Sequence, residues 1–193
     1  MTAQPNQSVG NALACLVALT DADGAVGSRE LARRLGFEHT RVNRLLGTLA
    51  ELGLAERTAD RKYRPGAGIH GLAAGAMRSS GLLQAALPEI RALHDAGFGV
   101  ALGLLWFGRV VYLYHGNPQR PLEENIAAHA PWDPQDSSIG KVLTARAAFS
   151  VVPGSIAVMV GDPPIAGLAL IGGSPTDVPL LTAAAGRIAA RLR

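Results

Sequence analysis

The chain has 193 residues, 48% hydrophobic and 17% charged, with a formal net charge of +3, which allows one domain or two small ones with real cores. The single cysteine, Cys15, excludes an internal disulfide, matches no zinc spacing and points to a reducing cytoplasm. Met1 to Ser8 is polar without basic residues, so no secretory leader is expected, and Pro153, Gly154, Asp162, Pro163 and Pro164 cut the apolar C-terminal third into pieces too short to span a membrane.

The first seven residues read as a disordered lead. A helix from Ser8 or Asn11 to about Thr20 is expected to turn Val9, Leu13 and Leu16 inward, with Cys15 as core filler, and Asp21 to Gly27 is a loop. Ser28 to Leu35 reads as a helix with Ser28 as N-cap, Glu30 in its first turn and Leu31 and Leu35 inward. Gly36 is its left-handed stop, and Phe37 plugs the core between helices.

A second helix, about Thr40 to Leu52, carries Val42, Leu45, Leu46 and Leu49 at the spacing of one buried face. The opposite arc holds Thr40, Arg41, Arg44, Gly47 and Thr48, with Glu51 as its one acid. A polar arc is by default a solvated one, but this arc is poor in acids, and an outward glycine suggests something close to the backbone. Ala55 to Thr58 and Arg61 to Arg64 form a hairpin with Arg57, Arg61, Lys62 and Arg64 around an inward Tyr63, suited to lie along a phosphate backbone. Residues 28–64 hold eight Arg and one Lys against five acids, while the rest of the chain nearly cancels. Arginine suits bidentate contacts to phosphate and guanine, and a GC-rich genome would also favour it. Together these elements make a winged helix-turn-helix, with Ser28, Arg29, His39, Thr40, Arg41, Asn43, Arg44, Thr48, Arg57, Arg61, Lys62 and Arg64 as candidate DNA contacts.

Pro65 to Gly68 closes the wing. Ile69 to Ser79 reads as a linker helix with Leu72, Ala73, Ala76 and Met77 available to pack on a second copy, or else as an ordinary surface helix on its own domain. A further helix carries Leu82, Leu83, Leu87, Ile90 and Leu93, with Pro88 kinking it or restarting it. Val100 to Leu105 and Val110 to Tyr114 are strands about the turn Phe107-Gly108-Arg109. Asp136 or Ser137 caps a helix through Ala148, Ile156 to Val160 and Ala166 to Ile171 pair as a second hairpin, and Asp177 and Pro179 open a last helix with Leu181, Ile188 and Leu192 inward. The fold class is α+β: a winged helix-turn-helix in residues 1–66, a linker helix in 67–81, and an antiparallel-sheet domain with flanking helices in 82–193.

GFEHTRVNRLLGTLAELGLAER resembles the helix-turn-helix of the IclR (isocitrate lyase regulator) transcriptional regulators, RKYRPGAGIHGLA their wing and linker start, and SSIGKVLTA the glycine-lysine helix of their effector domain. The resemblance runs from about Val9 to Ala148 and from Ser155 to the end. It implies a homodimer or tetramer on a palindromic double-stranded DNA operator, with a small organic acid or aromatic molecule as effector, held over the sheet near the N-terminus of the glycine-lysine helix. By that resemblance Leu102, Leu104, His129, Trp132, Ser137, Ser138, Ala157 and Met159 are the effector candidates. The chain departs from the family in one interval: only Phe149 to Gly154 lies where the family has a longer segment walling the ligand cavity, and Asp136 would repel a carboxylate. Weak or no binding of small carboxylates is therefore expected.

No catalytic constellation is legible. Gly140-Lys141 lacks the earlier glycine and the Ser/Thr of a phosphate loop, and Gly154-Ser155 lacks the second glycine of a nucleophile elbow. His39, His70, His94, His115 and His129 show no zinc spacing and read as surface or packing residues, and the paired Glu123-Glu124 diverge in a loop. No metal or cofactor is expected. The reading is a sequence-specific DNA-binding regulator; the alternative is a dimeric sensor or protein-interaction module whose winged helix no longer reads DNA.

Overall fold

The computed structural model describes residues 4–126 and 129–192, without the side chains of Ser80 and Leu122. Residues 1–3 of the expected lead lie outside that range. The chain divides into two compact units that meet in sequence at Ser79 and Ser80. Among the described residues no helix is long and apolar enough to cross a membrane.

In the first unit α1 spans Gln7–Thr20, α2 Ser28–Leu35 and α3 His39–Glu51. The Asn6 side chain caps α1, accepting from the amide of Ser8 at 3.0 Å. Leu16 is buried as expected, but Val9 and Leu13 are 56% and 39% exposed, and Cys15 and Leu19 complete the inward stripe. A helix rich in apolar residues on several sides offers more than one arc of the right period, so spacing alone picked the wrong edge. The cap of α2 is also corrected. Gly27, extended and without a side-chain bond, holds the N-cap position, while Ser28 is the first helical residue. Gly36 ends α2 with φ 68°, the left-handed conformation that a side chain disfavours. Glu38 caps α3, its carboxylate accepting from the Thr40 amide at 3.1 Å.

Val42, Leu46 and Leu49 of α3 close onto Leu19, Leu31 and Tyr63 in one core. The wing pairs β1 (Ala55–Arg57) with β2 (Tyr63–Pro65), and Val26 exchanges both backbone hydrogen bonds with Tyr63, at 2.8 and 2.9 Å. Gly66 lies so close to the preceding chain that a Cβ would sit 2.3 Å from the Gly53 carbonyl oxygen, so only glycine closes the wing there. The unit ends in α4, Gly68–Ser80, on which Leu72 and Met77 are 60% and 51% exposed and Ala73 and Ala76 are exposed as well.

In the second unit α5 (Leu82–Asp95) runs through the exposed Pro88 as one helix, so Pro88 does not restart it. Strands β3 (Gly99–Trp106), β4 (Arg109–Gly116), β5 (Phe149–Val152), β6 (Ser155–Val160) and β7 (Ala166–Ile171) form one antiparallel sheet in the order β4-β3-β7-β6-β5. One face, with Val100, Leu102, Tyr114, Ile156, Val158, Leu168 and Leu170, packs on α5 and on α7 (Val178–Ala190). The other face, with Ala101, Tyr112, Ala157 and Ala169, packs on Ile139 and Val142 of α6 (Ser138–Ala145).

Three expectations change here. Of the two cap candidates it is Ser137 that caps α6, but the helix ends at Ala145 instead of Ala148, with Arg146 left-handed at φ 50°. The interval Phe149 to Gly154, to which the sequence assigned no element, contains strand β5 and a turn in which Gly154 takes φ 76°. Asp177 makes no side-chain cap to α7 but closes a capping box with Ser174 one turn earlier.

Helices α5 and α7 are tied by the buried Glu89, whose carboxylate meets Arg187 at 2.7 Å and Arg191 at 2.9 Å. The hydrogen bond from Arg187 holds the Glu89 carboxyl below the usual range despite its burial. Since the folded value is the depressed one, this tie contributes above the ordinary carboxylate range and is lost as pH falls through the folded value.

Candidate nucleic-acid interface and effector cleft

The helix-turn-helix orients its polar residues by burying the others. With Val42, Leu46 and Leu49 fixed in the core, Thr40, Arg41, Asn43, Arg44 and Thr48 all emerge exposed on α3. Arg44 forms no ion pair with any described residue, and nothing lies within 4 Å of a Cβ built on Gly47. Arg41, Arg44 and Thr48 also line a cleft of ≈ 350 Å³ with Gln7, Ser8 and Asn11 of α1, a lining that the sequence reading missed because it joins segments thirty residues apart. At the other end of the motif the Ser28 hydroxyl lies 3.1 Å from Nε2 of His39, linking the N-terminal ends of α2 and α3, and Arg29 is exposed beside it. The exposed Arg34 is held by Glu30 one turn before it.

The wing holds its cations differently. Arg64 makes two bonds to the Glu56 carboxylate, at 3.1 and 2.8 Å, and Lys62 meets Asp60 at 2.9 Å. The Arg64 bond holds the Glu56 carboxyl below its usual range, and the Thr58 hydroxyl, followed by Lys62, does the same for Asp60. Arg57 lies over the Tyr63 ring at 5.9 Å. Arg61, at the tip with φ 60°, is exposed and has no ion pair with a described residue.

Residues 8–59 match the IclR helix-turn-helix domain family. The N-terminal domain is an IclR helix-turn-helix domain. The full chain shares its fold with solved IclR regulators. It aligns with an IclR family transcriptional regulator from Brucella abortus at 18% identity and a TM-score of 0.77, over 99% of this chain and 95% of the other. With a putative IclR transcriptional regulator from Silicibacter sp. TM1040 the identity is 22% and the TM-score 0.74, over 96% of each chain. An IclR homolog from Microbacterium hydrocarbonoxydans, solved with 4-hydroxybenzoate, aligns at 20% and 0.64 over 96% of this chain and 99% of the other. Comparison with curated protein sequences returns no match. The chain therefore has the fold of an IclR-type transcriptional regulator, a helix-turn-helix domain followed by an antiparallel-sheet domain.

Within the sheet domain, a cleft of ≈ 210 Å³ opens between the α6 N-terminus and the sheet, lined among others by Ala101, Tyr112, His115, Trp132, Asp136, Ser137 and Ser138. A larger one of ≈ 540 Å³ shares His115 and Ile171 with it and adds His129, Asn125 and Arg120. Ser137 is committed to the fold: its Oγ accepts from the Gly140 amide at 3.2 Å and lies 2.9 Å from the Tyr112 hydroxyl. Ser138 and Ser155 hydroxyls are 2.8 Å apart. The His129 ring stacks on Trp132 with centroids 5.1 Å apart and lies 4.1 Å from the His115 ring. Burial, reinforced by the neighbouring His129, pushes the His115 pKa down and favours a neutral ring.

Of the sequence-predicted effector residues, Trp132, Ser137 and Ser138 line the smaller cleft and His129 the larger. Leu102 does not belong: it is fully buried on the opposite face, against α5 and α7, and Leu104 lines neither cleft. Ala157 is buried beneath α6 and Met159 packs at the margin of the same cluster, so neither reaches the cleft. Ala101, Tyr112, His115 and Ala169 were missed. A strand buried on both faces reads as a continuous apolar run, which leaves its cleft side undetermined.

Proposed function

We propose that the protein is a cytoplasmic transcriptional regulator that binds an imperfectly palindromic DNA operator as a homodimer. The observation that carries this reading is the outward face of α3, where Thr40, Arg41, Asn43, Arg44 and Thr48 are exposed together and Arg44 has no ion pair among the described residues. A helix offering that set suits the major groove, with arginine reading guanine and asparagine reading adenine. Ser28, Arg29 and His39, at the N-terminal ends of α2 and α3, suit phosphate contacts, as do Arg57 and Arg61 on the wing.

Dimerisation is supported by α4, whose Leu72 and Met77 are exposed in the single chain although apolar, and by Val9 and Leu13 on α1. One short reading helix also covers too few bases to single out a site, and two-fold symmetry in the protein doubles that number. Operator selection from random duplex DNA, followed by footprinting and light scattering, tests the reading. The expected result is a protected palindrome under a dimer of about 40 kDa, twice the 20.0 kDa chain; a monomer protecting a single half-site would overturn it. If the winged helix contacts protein instead, reversing charge in the wing while its apolar faces are kept leaves function intact.

The effector reading is carried by the cleft at the α6 N-terminus and by the larger one that adjoins it through His115 and Ile171. Unpaired amides at a helix start favour anions, but Asp136 lines the same cleft and Ser137 already caps the helix. The aromatic wall of Tyr112, His129 and Trp132 favours an uncharged ring over a small carboxylate. A thermal-shift screen is expected to return no stabilisation by small carboxylates, and a carboxylate that both raises Tm by several degrees and changes operator affinity refutes this.

A further inference from the structure

The two edges of the five-stranded sheet are treated differently. Along β4, Val110 exchanges backbone bonds with Trp132 at 2.9 and 3.0 Å, and Tyr114 forms a second bridge with Ile126, so that edge is partly covered. Along β5 no strand pairs beyond β6 among the described residues. Natural edge strands are kept apart by lysines, inward charges or covering segments. From Ala147 to Val152 this edge carries no charge, and its Phe149 and Val151 are each 47% exposed.

We infer that β5 is a self-pairing edge: two copies of the chain join antiparallel through Phe149–Val152, about a two-fold axis at Ser150, into one continuous sheet. The register follows from the pleat. Residues directly opposite in an antiparallel pair share a face, and a two-fold axis perpendicular to the sheet must then pass through a residue rather than between two. Phe149 and Val151 lie across from Val158 and Ile156 of β6 and so share the face that carries α5 and α7, while Ser150, across from Ala157, is on the α6 face. With the axis at Ser150, each Phe149 meets Val151 of the second copy, an aromatic and β-branched cross-strand pair of the kind that stabilises sheets. Ser150 faces its own copy. No like charges meet, which is why a second copy, rather than a charged peptide, is the matching occupant.

A four-residue strand buries far less than the roughly 1,000 Å² that a self-sufficient interface needs. The contact therefore rests, for its strength, on the proposed homodimer: chains already held through another surface meet at a high effective concentration. It rests on no DNA contact, so its failure and that of the operator reading are separable.

The test is disulfide trapping in the full chain. Cys15 is fully buried and its thiol is pushed up to about 11 by that burial, so it stays silent under mild oxidation. Ser150→Cys places two thiols on Cα atoms about 4.5–5.5 Å apart, within disulfide range. Val152→Cys places them roughly 13 Å apart, four residues of strand rise, and serves as the control. Oxidation at micromolar protein is expected to give a cross-linked dimer at 150 and at least tenfold less at 152. Phe149→Lys, at a half-exposed position that leaves the thermal melt nearly unchanged, is expected to reduce cross-linking at 150 several-fold. The inference is overturned by equal cross-linking at 150 and 152, by none at 150 while light scattering still reports a dimer, or by cross-linking indifferent to Phe149→Lys.

Discussion

Helix α3 and the wing are the two basic surfaces of the helix-turn-helix unit, and they hold their charge in opposite ways. On α3, Arg44 stands without an ion pair among the described residues, and the carboxylate at the helix start, Glu38, is occupied with the Thr40 amide. On the wing two of the four cations are answered in place, Arg64 by Glu56 and Lys62 by Asp60. Exposed pairs of this kind contribute little to stability and are screened by salt, so DNA can displace them. The acids remain nearby when it does, and each offsets part of the phosphate attraction. A tally of wing cations therefore overstates its grip: Arg57 and Arg61 are the cations available without breaking a pair.

That contrast puts the largest effect on the helix. Arg44→Ala is expected to cost about 1–3 kcal/mol of operator affinity and to relax base preference at one position per half-site, as loss of a bidentate guanine contact does. Fluorescence anisotropy against the selected operator and its single-base variants measures both. Unchanged affinity with unchanged preference would remove α3 from the interface.

A smaller and differently shaped effect is expected at the wing tip. Because Arg61 sits at φ 60°, asparagine is the substitution that keeps the backbone comfortable. Arg61→Asn is expected to weaken all sequences alike and to lower the slope of log affinity against log salt by about one unit, the signature of one lost phosphate contact. Lys62→Ala is expected to change that slope by less, since Lys62 is held by Asp60 and neutralises less phosphate charge in the wild type. A Lys62 slope change equal to that at Arg61 would erase the distinction between paired and unpaired wing cations.

How far these surfaces were legible in the sequence follows from how local their causes are. The helix-turn-helix is set by short-range signals: apolar residues at helical spacing in Val42, Leu46 and Leu49, a left-handed stop at Gly36, and an inward Tyr63 between basic neighbours. What was misplaced depends on partners distant in sequence. Ion pairing between Glu56 and Arg64 needs the hairpin register, and β5 is a strand only because β6 lies beside it. Leu102 was put on the cleft side and Ala101 left off it because both faces of β3 are covered, one by α5 and α7 and one by α6, so no polar alternation marks the sides. Val9 and Leu13 on α1 looked like core because that helix is apolar on more than one side, so its spacing offered two arcs of the right period.

The smallest expected effect has the opposite sign. Glu56→Gln removes the acceptor charge that holds Arg64 while keeping the shape of the wing, so the guanidinium turns toward phosphate without a carboxylate beside it. A modest rise in affinity for all duplexes is expected, smaller than the loss at Arg61, with no change in base preference. Arg64 holds the Glu56 carboxyl below its usual range, so the wild-type pair survives mild acid. The advantage of the glutamine variant is then constant from neutral pH down to the ordinary carboxylate range and fades only as pH falls through the depressed folded value, where wild-type Glu56 itself becomes neutral. Salt-dependent titrations of both proteins at two pH values measure this, and a variant that binds no more tightly than wild type at neutral pH would mean that Arg64 never leaves its carboxylate for DNA.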